Sequence, residues 1–379
     1  MFGVYVHWPF CASKCPYCDF NSHVREAVDH QAWRISFIQE IRYYAALTSG
    51  RTVTSIFFGG GTPSLMEPET VRAVIDEVQK CWHISNDCEI TLEANPTSIE
   101  AEKFRAFRQA GINRVSVGVQ ALDEGSLKFL GRKHNVRDAV KAIEIARENF
   151  DRFSFDLIYA RPEQSMKEWQ QELEKAIQLS NGHLSLYQLT IEKGTPFFTQ
   201  HHRGDFKIPE DDEAGVLYEG TQDILGKAGL PAYEVSNHAI AGQESSHNMA
   251  YWRYADYIGI GPGAHGRITL GDKKQGTRGH RAPEIWLQRV GEQGHGGHKF
   301  EEISRPQRFT EALMMGLRLR EGVALAQLSE ESGKNWQDCL DRKRLQILID
   351  EHMLVLTDKR LCPTDAGRQR LNAVLGYLL

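Results

Sequence analysis

Three cysteines lie within eight residues near the start of the chain, in the segment CASKCPYC (11–18). The C-x3-C-x2-C spacing follows a short apolar segment that predicts a β-strand, and a loop of this size can wrap three corners of a cubane. Thiolates suit iron because they are soft donors, and three of them leave one iron open to an exchangeable ligand. The spacing therefore predicts a [4Fe-4S] cluster on Cys11, Cys15 and Cys18.

A zinc ion is the alternative occupant of these thiols. Structural zinc uses four ligands, more usually from C-x2-C pairs, so a fourth ligand such as His7, Asp19 or His23 would be required. Seven cysteines in 379 residues do not form a disulfide framework, and the crowding of three of them indicates metal binding in a reducing compartment. The others, interpreted as ordinary structural thiols, are Cys81, Cys88, Cys339 and Cys362.

A glycine-rich turn, GGGTP (59–63), follows the second predicted strand. Glycine lets the backbone approach a ligand closely, and its amide groups can bind a carboxylate. Without the cysteines, the same segment is equally typical of a simple tight turn.

Short β-rich segments alternate with longer helical ones in the first half of the chain, which predicts parallel strands joined by helices. The predicted strands span residues 3–8, 54–60, 88–94, 114–120, 153–159 and 184–190. The predicted helices span residues 29–48, 68–82, 98–110, 136–149 and 166–179. Six such units suit an α/β partial (β/α)6 barrel better than a closed eight-stranded one, with functional groups at the strand ends.

Three regions are expected along the chain: the partial barrel at 1–200, a barrel extension at 201–300 and a smaller helical domain at 301–379. The last region resembles a winged-helix unit with a small wing near residues 354–363. Acidic residues are interleaved there without a basic recognition stripe, which favours packing or partner docking over DNA binding.

The composition argues against a nucleic-acid ligand, because a net charge of -5 and a pI near 6.3 show no basic excess. No window approaches the roughly 20 apolar residues that a membrane span needs. The first apolar segment is broken by His7 and lacks a basic region and a cleavage site, so it is not a signal peptide. A cytoplasmic protein is therefore expected.

The cluster motif, with an aromatic residue before its last cysteine, resembles the signature of the radical S-adenosylmethionine (SAM) superfamily, and the resemblance covers most of the first 200 residues. It implies that the open iron binds SAM and that the glycine-rich turn meets its methionine moiety. It further implies ribose hydrogen bonds from Gln120 and Asp156 and carboxylate binding by Arg132. The residues matching SAM contacts of the coproporphyrinogen-dehydrogenase branch are Tyr5, Tyr17, Gly60, Gly61, Thr62, Glu93, Gln120, Arg132 and Asp156.

Two families of this branch are alternative interpretations of the sequence. In the oxygen-independent coproporphyrinogen III dehydrogenases of porphyrin biosynthesis the motif continues to a further cysteine, whereas this chain has Cys18-Asp19-Phe20. The segments CPYCDFNSH (15–23), HNMAYW (247–252) and IGIGPGAHG (258–266) resemble the HemW family of heme chaperones. That resemblance implies heme binding and delivery to acceptor hemoproteins. Oxidative decarboxylation of coproporphyrinogen III is the alternative, and binding of SAM and heme as regulators alone is a third possibility.

His247 is the candidate heme ligand by this resemblance, because a neutral imidazole is a common axial donor and Tyr251 and Trp252 could pack on a porphyrin. A histidine beside aromatic residues is otherwise most often structural. Arg161 is interpreted as a solvated loop residue, with a propionate contact as the alternative. The sequence leaves open whether SAM is cleaved, and a homodimer, in which a partner caps the open cluster site, is compatible with it.

Overall fold

The computed structural model of the protein describes residues 1–97 and 100–379. Its strands are β1 (Phe2–Trp8), β2 (Phe10–Cys11), β3 (His23–Val24), β4 (Thr52–Gly60), β5 (His83–Ala94), β6 (Arg114–Gln120), β7 (Arg152–Tyr159), β8 (His183–Gln188), β9 (Asn237–Ala239), β10 (Asp256–Ile260), β11 (His265–Leu270), β12 (Lys273–Arg278), β13 (Glu301–Glu302), β14 (Val323–Ala324), β15 (Leu354–Leu356) and β16 (Arg360–Pro363).

The α-helices lie between and after these strands. They are α1 (His30–Leu47), α2 (Pro68–Cys81), α3 (Ser98–Glu102), α4 (Phe104–Ala110), α5 (Glu124–Phe129), α6 (Val136–Asn149), α7 (Met166–Leu179), α8 (Pro196–Arg203), α9 (Asp211–Lys227), α10 (Ser246–Trp252), α11 (Pro283–Gln293), α12 (Arg305–Gly316), α13 (Leu325–Ser332), α14 (Arg342–Asp350), α15 (Asp365–Gln369) and α16 (Leu371–Leu378). Short 3-10 helices span Pro63–Leu65 and Trp336–Cys339.

Eleven strands form one mixed sheet in the order β13-β12-β11-β10-β1-β4-β5-β6-β7-β8-β9. From β1 to β8 the neighbouring strands of this sheet are parallel and follow chain order. This arrangement confirms the predicted partial barrel, and all six predicted strands are present. The predicted helix at 98–110 is divided into α3 and α4, and its residues 98 and 99 lie outside the described residues.

The region after residue 200 adds strands at both edges of this sheet. β9 pairs antiparallel with β8, and β10 pairs parallel with the free side of β1. β11, β12 and β13 continue outward as antiparallel strands. The first strand is therefore central in the sheet, between two parallel neighbours.

Alternation along β1 sorts its side chains between the helical layer and the barrel interior. Val6 and Trp8 belong to the apolar core, where the Trp8 ring lies 5.7 Å from the Trp33 ring of α1. Tyr5 and His7 project to the opposite face, where the tyrosine hydroxyl lies 3.0 Å from His7 Nδ1. Because a parallel strand is covered on both faces, polar residues on the interior face need partners of their own.

The C-terminal domain has a second apolar core. Leu313, Leu317 and Leu361 are fully buried in it, beside the small sheet β14-β16-β15. β15 and β16 form the wing predicted near residues 354–363. None of the helices in the described ranges is long and apolar enough to cross a membrane.

A buried lysine connects the barrel extension to this domain. The Lys274 ammonium lies 3.6 Å from the Asp256 carboxylate and 3.6 Å from the Glu331 carboxylate, and 3% of its side chain is exposed. It also donates to the Tyr254 carbonyl oxygen at 3.0 Å. Burial lowers the pKa of Lys274, and the two carboxylates oppose that shift. Because Asp256 is in β10 and Glu331 in α13, this cation joins the sheet to the C-terminal domain.

We expect Lys274→Ala to lower the free energy of unfolding by about 1–3 kcal/mol, because it removes a buried, hydrogen-bonded cation from between two carboxylates. The loss stays below that of an uncompensated buried charge, because Asp256 keeps Arg51 at 2.8 Å and Glu331 keeps Arg308 at 2.6 Å. Lys273→Ala is the matched control: its ammonium pairs with Glu302 at 2.8 Å on the surface, where such pairs contribute about 0–1 kcal/mol. Urea denaturation of both variants measures the difference. Equal losses would contradict a bridging role for Lys274.

Candidate cluster and cofactor site

The carboxyl ends of the parallel strands open into a cavity of about 1210 Å³. Small-molecule sites ordinarily occupy roughly 300–1,000 Å³, so this cavity is large. Tyr5 and His247 are not part of its lining. The other assigned residues all line it: Cys11, Cys15, Tyr17, Cys18, Gly60, Gly61, Thr62, Glu93, Gln120, Arg132 and Asp156.

Backbone hydrogen bonds fix the cysteine loop against the glycine-rich turn. The Gly61 amide donates to the Trp8 carbonyl oxygen at 2.7 Å, and the Thr62 amide donates to the Phe10 carbonyl oxygen at 2.8 Å. The Thr62 hydroxyl also lies 3.5 Å from Cys11 Sγ. Because β1 and β4 end in the same register, the two loops leave the sheet side by side.

Two glycines permit this close approach. A Cβ on Gly61 would lie 2.6 Å from the Phe10 carbonyl oxygen, and one on Gly60 would lie 2.6 Å from His7 Cε1. Gly60 also has a φ of 113°, in the region that favours glycine. The turn therefore needs glycine for the packing of the two loops, apart from any contact with a ligand.

The three thiols of the loop face the cavity. Burial raises the pKa of Cys11 and of Cys18, so a metal must displace their protons to bind the thiolates. Among the described residues, no group of three His, Cys, Asp or Glu side chains could hold a single metal ion. A cubane does not need so compact a group, because each thiolate binds a different iron. The donor set on this loop therefore fits a cubane.

Arg132 is held beside Cys15 by the barrel. One of its amino groups donates to the Asn95 side-chain oxygen and to the Gly118 carbonyl oxygen, both at 2.7 Å. The other donates to Cys15 Sγ at 3.2 Å and to the Tyr17 hydroxyl at 3.5 Å. Its Nε is buried without a hydrogen-bond partner in the part of the chain that the structure describes. The guanidinium is thus fixed next to the cysteine loop. Binding of a carboxylate by Arg132 stays a prediction.

Two carboxyl groups line the cavity near the glycine-rich turn. Burial deep in the barrel raises the pKa of Glu93 to about 8, and the neighbouring Asp156 carboxylate adds to this shift. Burial also raises the pKa of Asp156 to about 6. The Gly60 amide donates to Glu93 Oε2 at 3.2 Å. At neutral pH Glu93 is therefore largely protonated and is able to donate a hydrogen bond as well as accept one.

Gln120 lies at the carboxyl end of β6, where the register against β7 shifts. Its φ is 73°, which is uncommon for a residue other than glycine. Such conformations cluster at functional sites, where the surrounding structure maintains them. The irregularity keeps this side chain in the cavity lining.

His247 is buried within the barrel, with 1% of its surface exposed. Its ring nitrogens lie 2.9 Å from Ser55 Oγ and 2.8 Å from the Tyr251 hydroxyl. Burial lowers the pKa of His247 to about 3, so the imidazole is neutral. Because both nitrogens are engaged, ligation of heme iron would require the ring to leave one of these partners. The heme-ligand role of His247 therefore stays a prediction.

The interpretation of Arg161 as a solvated loop residue was wrong. This side chain is buried, and its guanidinium forms an ion pair with the Glu172 carboxylate of α7. The Leu122 amide donates to the same carboxylate at 2.6 Å. The pair is visible only once the helix is packed against the strand end, so the loop sequence alone does not reveal it.

Sequence reasoning missed several residues of the site. Asn95 connects Arg132 to the glycine-rich turn, because its amide also donates to Thr62 Oγ1 at 3.1 Å. Its position directly after a predicted strand is a signal that could have identified it. Arg318 and Arg368 of the C-terminal domain also line the cavity, and they belong to no recognisable motif.

Two family profiles match the chain: that of the Radical SAM superfamily at residues 5–176 and that of the HemN C-terminal domain at residues 303–370. The structure described as coproporphyrinogen III oxidase (HemN) from Escherichia coli, a radical SAM enzyme, has a TM-score of 0.82, covering 99% of this chain and 89% of that one at 22% identity. The fold and the site thus define a radical SAM protein with a HemN-type C-terminal domain.

Similar proteins extend over the full chain. The mitochondrial radical S-adenosyl methionine domain-containing protein 1 of Mus musculus is 39% identical over 100% of this chain and 87% of its own length. Heme chaperone HemW of Haemophilus influenzae is 34% identical over 100% of this chain and 97% of its own length. Heme chaperone HemW of Escherichia coli is 41% identical over 71% of each chain. This chain belongs to the HemW family of radical SAM proteins.

We expect Cys15→Ala to reduce bound iron from roughly four atoms per chain to nearly none, because two thiolates cannot hold the cubane. Cys339→Ala is the control, since that thiol lies in the C-terminal domain and is absent from the cavity lining. Iron and sulfide analysis after anaerobic reconstitution measures both. An intact cluster spectrum in Cys15→Ala would contradict the site.

The raised pKa of Glu93 predicts a pH dependence of stability. A carboxyl whose pKa is about 8 in the folded chain and near its ordinary 4.5 when unfolded stabilises the fold below pH 4.5, and this contribution is lost as pH rises through 8. Glu93→Gln removes that titration and keeps the acceptor for Gly60. Between pH 5 and 9, without SAM, we expect the unfolding free energy of the parent to fall relative to Glu93→Gln by roughly 4 kcal/mol. Parallel stability curves would contradict this assignment.

Proposed function

We propose that this chain binds heme and delivers it to acceptor hemoproteins. The observation that carries the proposal is a cavity of about 1210 Å³ that is lined both by the cysteine loop and by the C-terminal domain. It occurs in a chain whose full-length relatives include proteins named heme chaperone HemW. The volume exceeds that of an ordinary small-molecule site, which supports room for a flat macrocycle in addition to SAM.

We infer that the three thiolates of Cys11, Cys15 and Cys18 would hold a [4Fe-4S] cluster, and that the strand-end residues would face SAM. When bound, these groups supply one-electron chemistry that side chains cannot. Arg132 places a positive charge 3.2 Å from Cys15 Sγ. The protonated Glu93 carboxyl supplies a donor to a ligand hydroxyl. The residues that would contact SAM are Tyr17, Gly60, Gly61, Thr62, Glu93, Gln120, Arg132 and Asp156.

Decarboxylation of coproporphyrinogen III is the competing activity, and the comparisons favour the chaperone over it. The similar oxidase structure is 22% identical and therefore supports the fold alone. Phe20 lies two residues after Cys18, at the position where the dehydrogenase motif has its further cysteine. The named chaperones are 31–41% identical to this chain.

We also propose that the chain works in a reducing compartment such as the cytoplasm. All seven cysteines are free thiols in the structure. A cluster bound through an open loop also requires its thiols to remain reduced.

The test is a heme titration of the anaerobically reconstituted chain, followed by absorbance, and then transfer of heme to apomyoglobin. We expect one heme per chain and transfer of that heme, because the cavity accommodates one macrocycle beside SAM. A parallel reaction with coproporphyrinogen III, SAM and a reductant is expected to yield no protoporphyrinogen. Turnover of coproporphyrinogen without heme binding would replace the chaperone proposal by the enzyme.

His247→Ala, titrated in the same way, tests the axial ligand. A changed heme absorbance band in this variant would establish ligation by the imidazole. An unchanged band together with lower stability would assign His247 to the barrel interior, because Ser55 and Tyr251 lose a buried partner.

A further inference from the structure

The C-terminal domain contributes two arginines to the cavity wall, Arg318 and Arg368. Arg368 is in α15 and is 3% exposed, and Arg318 lies just after α12. Within the described residues, the hydrogen bonds of these two side chains go to Glu234 and Asp365, and none goes to the cysteine loop or to the glycine-rich turn. Arg318 is partly exposed, with 31% of its side chain accessible. Arginine is almost never as deeply buried as Arg368 unless it is paired, so the partners of Arg368 decide its role.

Arg368 leaves most of its donors unused. One amino group donates to Asp365 Oδ1 at 2.6 Å. Its Nε and its other amino group are buried and have no hydrogen-bond partner within residues 1–97 and 100–379. The Asp365 side chain is 83% exposed, so solvent screens that ion pair. Open, cationic donors therefore remain at the cavity wall.

Arg318 and Tyr218 supply further donors to this wall. Arg318 donates to Glu234 Oε2 at 3.2 Å, and its guanidinium carbon lies 4.4 Å from the Trp252 ring centroid. Its Nε lacks a partner within the described chain, and the buried Tyr218 hydroxyl lies against the Arg368 guanidinium without a well-formed hydrogen bond. Burial raises the pKa of Tyr218, and the charge of Arg368 and this polar contact oppose that shift. Donors from α9, α15 and the segment after α12 thus line one cavity.

Acidic residues near these donors satisfy only one amino group of each arginine. Asp211, Asp212 and Glu219 of α9 also line the cavity, but they are exposed to solvent. Within the described chain, the ion pairs of the two arginines are with Glu234 and Asp365. Glu234 accepts from the neighbouring amides on Oε1 and from one amino group of Arg318 on Oε2. It therefore leaves the Nε of Arg318 and the open donors of Arg368 without a partner within the described chain.

We propose that Arg368, together with Arg318 and Tyr218, binds a carboxylate of the ligand in the cavity. A planar guanidinium donates two parallel hydrogen bonds to carboxylate oxygens, and these bonds are stronger where water is excluded. The inference rests on the proposed function, under which this carboxylate is a propionate of heme.

The experiment compares heme with its dimethyl ester, in which both propionates are blocked, on the reconstituted full chain. We expect the chain to bind heme at least about tenfold more tightly than the ester. The ester groups are neutral, so they cannot form an ion pair with a guanidinium as the propionates can. Arg368→Gln is expected to weaken heme binding by about tenfold or more and to leave binding of the ester unchanged. SAM affinity is expected to stay the same.

Arg342→Gln is the control for the loss of one positive charge, since Arg342 lies on the surface of α14, outside the cavity lining. Asp365→Asn is the second control: it removes the protein partner of Arg368 and keeps the cation, so heme affinity should not fall. The comparison of the two ligands on the parent chain does not depend on the folding of any variant.

The outcomes separate the two proposals. If the parent chain binds neither heme nor the ester, the proposed function fails and this inference fails with it. If the parent binds both equally, or if Arg368→Gln weakens both equally, heme binding stands and the carboxylate site is overturned. A loss of SAM affinity in Arg368→Gln, with heme affinity intact, would assign the site to the carboxylate of SAM instead.

Discussion

The backbone hydrogen bonds between the end of β1 and the glycine-rich turn are the interaction on which the site depends. They exist because β1 and β4 are parallel neighbours in register, with Trp8 opposite Gly60. A slip of one residue would turn the β1 side chains to the opposite faces and would separate the cysteine loop from the turn. The approach of the two loops then requires glycine at position 61. Strand register thus positions the cysteine loop against the glycine-rich turn, without any contribution from a bound metal.

A buried polar network inside the barrel imposes the second constraint. The Glu89 carboxylate of β5 lies 3.0 Å from the Arg152 guanidinium and 3.9 Å from that of Arg114. The Ser245 hydroxyl and the His247 amide donate to it, both at 3.3 Å. A fully buried carboxylate is tolerated when it is paired and hydrogen-bonded in this way. The network ties the start of α10 to three barrel strands, so the HNMAYW segment has a structural role within the barrel whether or not it contacts heme.

Much of the fold could be predicted because its signals are local. The six barrel strands and the wing follow hydrophobic patterns a few residues long, and the cysteine spacing predicts which loop would hold a cluster. The position of β10 could not be predicted. This short strand pairs with β1, which lies about 250 residues earlier in the chain, and no local pattern indicates that the two strands are neighbours. The ion pair of Arg161 with Glu172 joins neighbouring elements, but it depends on how α7 packs against the end of β7, which the loop sequence does not specify. The surroundings of Arg368 depend on the packing of α15 against α9, which is distant in the sequence.

The protein holds cations at two regions of one cavity, and their surroundings differ. Both amino groups of Arg132 are engaged by the barrel and the cysteine loop, which fixes that cation in place. Arg368 has one solvent-exposed partner and open donors, so it is suited to a ligand group rather than to a structural contact. Arg132 belongs to the barrel and Arg368 to the C-terminal domain, so the distance between the two cations depends on how the domain packs. The Gln369 amide, which donates to the Gly215 carbonyl oxygen at 3.3 Å, and the buried Lys274 maintain that packing. The C-terminal domain therefore forms one part of the cavity wall, opposite in sequence to the barrel that carries the three cysteines.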